Sequence, residues 1–95
     1  MNLAIDLDGT IDKLGIHVVR CIVSTCDIAG FRTFLVTSRS VDDKDVCKHW
    51  ALLTNINEHH VICTNGTAKK WFCEQRGLRI DVWIDDDPGS IFNGK

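Results

Sequence analysis

The sequence predicts an α/β domain, a three-layer, Rossmann-like arrangement in which helices cover both faces of a parallel sheet. Three observations carry this expectation. Four short apolar runs, at residues 3–5, 33–36, 61–63 and 82–84, alternate with longer mixed segments, and such alternation calls for crossover connections and parallel pairing. Apart from Thr33 the runs are apolar throughout rather than at every second residue, as strands buried on both faces are. At 95 residues and 10.7 kDa the chain has room for one thin core, so residues 1–95 read as a single domain.

The elements follow in order. Leu3, Ala4 and Ile5 form a buried strand ending at Asp6, after which Asp8-Gly9-Thr10 turns the chain. A helix is expected over residues 16–29, because Val19, Ile22, Val23 and Cys26 recur at spacings of three and four and Gly30 stands where a helix ends. Its many β-branched residues are weak helix formers, so packing must hold it. Residues 33–36 make the second strand. Ser40 caps a helix over 41–53, with Asp42, Asp43 and Asp45 at the positive end of its dipole and Val46, Trp50 and Leu53 on its buried face. Residues 61–63 are the third strand. A helix over 67–76 turns Ala68, Trp71 and Phe72 inward and stops at Gly77. The fourth strand, 82–84, ends in Asp85-Asp86-Asp87-Pro88, and residues 90–95 are too few to assign.

Composition narrows the function. Eleven Lys and Arg against thirteen Asp and Glu give a formal charge of −2, which excludes a nucleic-acid binder held mainly by a strongly basic surface. No apolar run nears the roughly 18 residues of a membrane span, and an acid by position 6 speaks against a secretory signal. The five cysteines are odd in number, lack a C-x-x-C pair and lie mostly in apolar surroundings. They read as reduced core residues of an intracellular, cytoplasmic protein. His59, His60 and Cys63 lack the paired spacing of a tetrahedral zinc site.

In open parallel sheets, ligands sit beyond the carboxyl ends of the strands. That edge gathers Asp6 and Asp8, then Thr37 and Ser38, then residues 64–70, then Asp85, Asp86 and Asp87. Five of the thirteen acids therefore converge, and the rest of the chain carries a net charge of +3. Carboxylates so crowded do not all stay ionised unless a cation joins them, and hard oxygen donors without Cys or His suit Mg²⁺. Opposite them stand a Thr, lysines and backbone N–H groups, a set suited to phosphoryl oxygens.

Here the residues carry a resemblance. Asp6-Leu7-Asp8-Gly9-Thr10 after an apolar strand resembles the first motif of the haloacid dehalogenase (HAD) superfamily. Phe34-Leu35-Val36-Thr37 resembles its second, and Val82-Trp83-Ile84-Asp85-Asp86 its fourth. The resemblance spans residues 2–88 and implies a minimal HAD core with a Mg²⁺-dependent phosphatase activity. Asp6 would be the nucleophile and Asp8 the general acid and base. Thr37 would bond a phosphoryl oxygen, with Ser38 and Arg39 beside it for substrate. Asp86 would hold Mg²⁺ with Asp6 and the Asp8 carbonyl, and Asp85 would support the metal shell. The family's third-motif Lys falls near Asn65. Lys69, one helical turn further on, is the first choice to replace it, and Lys70 is the alternative or a second substrate contact.

The family's lid domains have no counterpart, since only about seven residues separate Asp8 from the first helix and almost none separate Cys63 from the third. A capless, open site suits an extended phosphorylated substrate. Nucleotides, phosphorylated nucleic-acid ends and phosphoprotein segments are all compatible, so nucleic acid enters only as substrate. The thin core is compatible with a homodimer. The rival readings are a catalytically silent binding or regulatory module and a subunit of a larger nucleic-acid-processing assembly.

Overall fold

The computed structural model describes residues 1–93; Gly94 and Lys95, the end of the unassigned tail, lie outside the described residues. Four strands form one parallel sheet in the order β3-β2-β1-β4: β1 Asn2–Ile5, β2 Arg32–Thr37, β3 Val61–Cys63 and β4 Val82–Ile84. The helices are α1 Asp12–Leu14, α2 Ile16–Ile28, α3 Lys44–Leu53, α4 Lys69–Glu74 and α5 Gly89–Phe92. The radius of gyration, 12.0 Å, is that of a single folded unit of this length. Among the described residues no helix is long and apolar enough to cross a membrane.

Alternation along the strands divides the core in two. Leu3, Ile5, Leu35, Val61 and Cys63 face α2 (Val19, Val23) and α3 (Cys47, Ala51). Ala4, Phe34 and Val36 face the opposite way, with Cys73 of α4, Leu78, Ile80 and Trp83. Helices thus pack on both faces of the sheet. All five cysteines are free thiols. Burial pushes the Cys47 thiol up to about 12 and that of Cys73 to about 11, which leaves neither as a thiolate at neutral pH. His60 stacks on Phe34 at 4.4 Å between centroids, and its Nδ1 lies 3.0 Å from the Thr33 carbonyl oxygen.

Local chemistry explains most boundaries. Gly30 takes φ +80° after α2 and Gly77 takes φ +72° after α4, as helix-terminating glycines do. The Ser40 hydroxyl accepts the Asp42 amide at 3.2 Å. The segment it caps opens as a 3₁₀ turn, Val41–Asp43, before α3 begins at Lys44.

Three expected inward residues need correction. Val46 is largely exposed and Leu53 only half-buried, because α3 turns Cys47 and Ala51 to the sheet with Trp50 at the margin. Trp71 is 56% exposed. The expected helix over 67–76 shortens to six residues, and its inward positions, one turn apart, are Lys69 and Cys73. Lys69 takes the place that apolar periodicity assigns to an aromatic ring, because its ammonium finds acids at the sheet edge.

The Leu35 side chain is fully buried in the α2–α3 layer, whereas Leu52 is 69% exposed. Leu35→Ala is expected to cost about 2–5 kcal/mol in urea-induced unfolding, and Leu52→Ala less than about 0.5 kcal/mol.

Candidate active site

β1 is the central element of the site, because it pairs with both β2 and β4. Ile5 is in register with Ile84, and the Asp6 amide donates to the Ile84 carbonyl at 2.9 Å. Asp6 and Asp85 therefore leave the sheet side by side. The chain then turns through residues 7–11, and the Ile11 amide reaches back to the Asp6 carbonyl at 3.3 Å. Gly9 makes this turn at φ +80°, where an added Cβ would run into the Asp86 carboxylate. A side chain there would meet both backbone strain and the Asp86 carboxylate.

Lys69 lies beneath this edge at 1% exposure. Its Nζ donates to Asp6 Oδ1 at 2.8 Å and to Asp85 Oδ2 at 2.6 Å. Asp85 is fully engaged, since its Oδ1 accepts the Asp87 amide at 2.9 Å and the Ser90 hydroxyl lies 3.5 Å from its Oδ2. The buried Thr10 hydroxyl accepts the Asp86 amide at 3.1 Å. It also reaches Asp86 Oδ1 at 3.2 Å and Asp6 Oδ2 at 3.4 Å, with one proton for the two carboxylates. Burial raises the Asp6 carboxyl to about 6, against the lowering effect of Lys69.

Asp8 points elsewhere. Its two oxygens accept Arg39 Nε at 2.9 Å and a terminal guanidinium nitrogen at 2.7 Å. The Arg39 guanidinium holds the Asp8 carboxyl below its usual range. Arg39 is itself placed by backbone bonds. Its amide donates to Thr37 Oγ1 at 3.2 Å and its carbonyl accepts the Asn65 amide at 3.1 Å, while the Ser38 carbonyl accepts the Gly66 amide at 2.9 Å.

An open cleft of about 550 Å³ joins these groups, lined by Asp6, Asp8, Ser38, Arg39, Lys69 and Asp86, with Asp87, Gly66 and three residues of the tail. Thr37 is fully buried and does not line it; it acts there through the Arg39 amide. Lys70 requires correction as a substrate contact. It points to the outer side of α4, 3.9 Å from Glu74 and over the Phe92 ring, because Lys69 and Cys73 define the inward side. Asn65 is in an exposed loop with left-handed backbone at φ +53°, so it does not share a helix face with Lys69. Thr10, Ser90 and Asn93 are members of the site that sequence reasoning passed over. The first motif already contained Thr10, and Asp87-Pro88 is a helix-start signal for α5.

Asp6, Asp85 and Asp86 each offer an oxygen within 4.8 Å of the others. This all-oxygen set fits a hard divalent cation such as Mg²⁺. Lys69 already occupies Asp6 Oδ1 and Asp85 Oδ2, so Asp6 Oδ2 and Asp86, which share only the single Thr10 proton, are the oxygens that would hold it.

No family model, no curated protein and no solved structure matches this chain. The geometry therefore carries the functional reading.

Removing a buried cation leaves its partners uncompensated. Lys69→Met is expected to lose about 3–5 kcal/mol of stability at pH 7. Asp6 has a raised pKa in the folded state, so the native protein binds more protons than the unfolded chain between pH 4 and 6. This group makes stability fall as pH rises through that window. The deficit of Lys69→Met should accordingly shrink on acidification, as read by urea unfolding at pH 5 and 7. A deficit that grows at pH 5 would contradict the assignment.

Proposed function

We propose that the chain is a Mg²⁺-dependent phosphohydrolase that cleaves phosphate monoesters through an aspartyl-phosphate intermediate on a capless, Rossmann-like core resembling the HAD superfamily. The observation that carries this reading is the meeting of Asp6, Lys69, Asp85 and Asp86 at one sheet edge, with Lys69 bonded to Asp6 from 63 positions away in the chain. The stretches that resemble the first and fourth family motifs, with the lysine chosen for the third, thereby supply one site.

In this reading an Asp6 oxygen attacks phosphorus, and the ester oxygen departs with a proton from Asp8. Water then attacks the aspartyl phosphate and passes its proton to Asp8, which releases inorganic phosphate, frees the Asp6 carboxylate and returns Asp8 to its protonated form. Lys69 neutralises charge at Asp6 and orients its carboxylate, Asp85 holds Lys69, and Thr10 ties Asp6 to Asp86. Ser38 and Arg39 face the cleft as substrate contacts. Mg²⁺, held by Asp6 and Asp86, would supply positive charge against the phosphoryl oxygens.

One observation favours the rival reading of a silent binding or regulatory module. Asp8 is held ionised by a bidentate arginine, and an ionised carboxylate has no proton to give a leaving group. Hydrolysis of an aryl phosphate separates the two. The phosphohydrolase reading expects phosphate release that EDTA abolishes and that Asp6→Asn reduces to background. It also expects a loss of about 10²–10⁴-fold in Asp8→Asn. Because Asp6 attacks in its ionised form, the metal-limited rate should climb as pH rises through about 6, and earlier at saturating Mg²⁺. Mg²⁺ binding without any product would instead establish the silent module.

A further inference from the structure

Among the groups facing the cleft, Arg39 stands apart. The lining includes four aspartates and two cations. Lys69 is buried and committed to Asp6 and Asp85. The Arg39 side chain is a third exposed, and among the described residues its guanidinium hydrogen bonds all go to Asp8, itself more than half exposed. Two of its five N–H donors are used there, which leaves three for another acceptor. Its backbone is fixed on both sides by Thr37 and by the loop at residues 65–66. The result is a guanidinium fork on a hydrogen-bonded stretch of backbone, holding a solvent-accessible carboxylate.

We propose that Arg39 is a specificity-determining residue that receives a second phosphate group of the substrate, for which the Asp8 carboxylate is an internal stand-in. The location of the first phosphate rests on the phosphohydrolase reading. A guanidinium fork accepts carboxylate and phosphate in the same bidentate manner. Half-exposed ion pairs are weak because water and salt screen them, so a ligand phosphate can replace Asp8. The exchange also frees both Asp8 oxygens to approach the leaving group. A monoester with only one phosphate leaves Asp8 on Arg39 and turns over more slowly. A cleft of about 550 Å³ is of the size that holds a whole small ligand rather than one phosphoryl group. The substrate class is therefore a phosphate monoester with a second phosphate nearby, either a small bisphosphate or a phosphorylated end of a phosphodiester chain.

Kinetics and binding test this separately. A nucleoside 3′,5′-bisphosphate and a 3′-phosphorylated oligonucleotide are compared with an aryl phosphate. At least one should exceed the aryl phosphate in kcat/KM, and the one that does identifies the source. In Arg39→Gln that advantage should fall by about 10- to 100-fold, and Arg39→Lys should restore it only in part. An equal loss on all esters would place Arg39 on the transferred phosphoryl group and overturn the proposal, as would an unchanged advantage. Binding needs no turnover. In calorimetric titrations with methylenebisphosphonate at fixed Mg²⁺, Asp8→Asn should tighten binding more than Asp87→Asn, which removes a cleft charge without touching Arg39. That extra tightening should vanish in the Arg39→Gln background. If Asp8→Asn gains no more than Asp87→Asn, or gains as much without Arg39, the stand-in role is wrong. Should the wild type hydrolyse no ester, the phosphohydrolase reading fails and the binding cycle alone decides on Arg39.

Discussion

The site is organised around one buried ammonium. Lys69 gives up hydration to lie at 1% exposure between Asp6 and Asp85, an arrangement that is stable only when both acids keep their places. Parallel register keeps them there. Ile5 opposite Ile84 makes Asp6 and Asp85 the next residues out on adjacent strands, and Lys69 reaches the gap from the start of α4. The same contact fixes the rotation of α4. With six residues and no side-chain cap, this helix has little stability of its own. Its orientation comes from Lys69 in the acid pair and Cys73 in the apolar layer.

This contact also separates what was legible in the sequence from what was not. Strand positions were readable because short apolar runs end at polar residues, Asp6 after Ile5, Thr37 after Val36 and Asp85 after Ile84, with Thr37 itself the last residue of β2. The convergence of acids at one edge followed from parallel order alone. Helix rotation was less legible. Apolar periodicity assigns Trp71 to the interior, but a lysine with two buried acids as partners displaces it, and that partnership spans strands far apart in the chain. Val46 fails for a milder reason. It neighbours Cys47, and Cys47 and Ala51, one turn apart, are the residues that α3 buries in the core.

The Asp8–Arg39 pair was not foreseeable in its geometry. Both residues stood among the candidates, yet nothing local says that Arg39 turns toward Asp8 rather than toward solvent. The decision lies in the loop around residues 38–39. Its backbone is tied to Thr37 on one side and to Asn65 and Gly66 on the other, where two successive left-handed residues bring amides inward. The tail was equally hidden. Ser90 matters only because α5 folds back beside α4 and carries its hydroxyl to within 3.5 Å of Asp85.

Two aspartates two positions apart are driven in opposite directions, Asp6 upward by burial and Asp8 downward by Arg39. Opposed environments of this kind are how paired carboxylates take different roles. In the proposed reaction, however, the nucleophile must be ionised and the acid protonated, opposite to the directions in which the free cleft shifts them. A cation beside Asp6 favours its ionised form, and an anion on Arg39 removes the partner that holds Asp8 ionised. Both ligands belong to the substrate complex. In the proposed reaction the order of the protons in this open cleft therefore depends on what is bound.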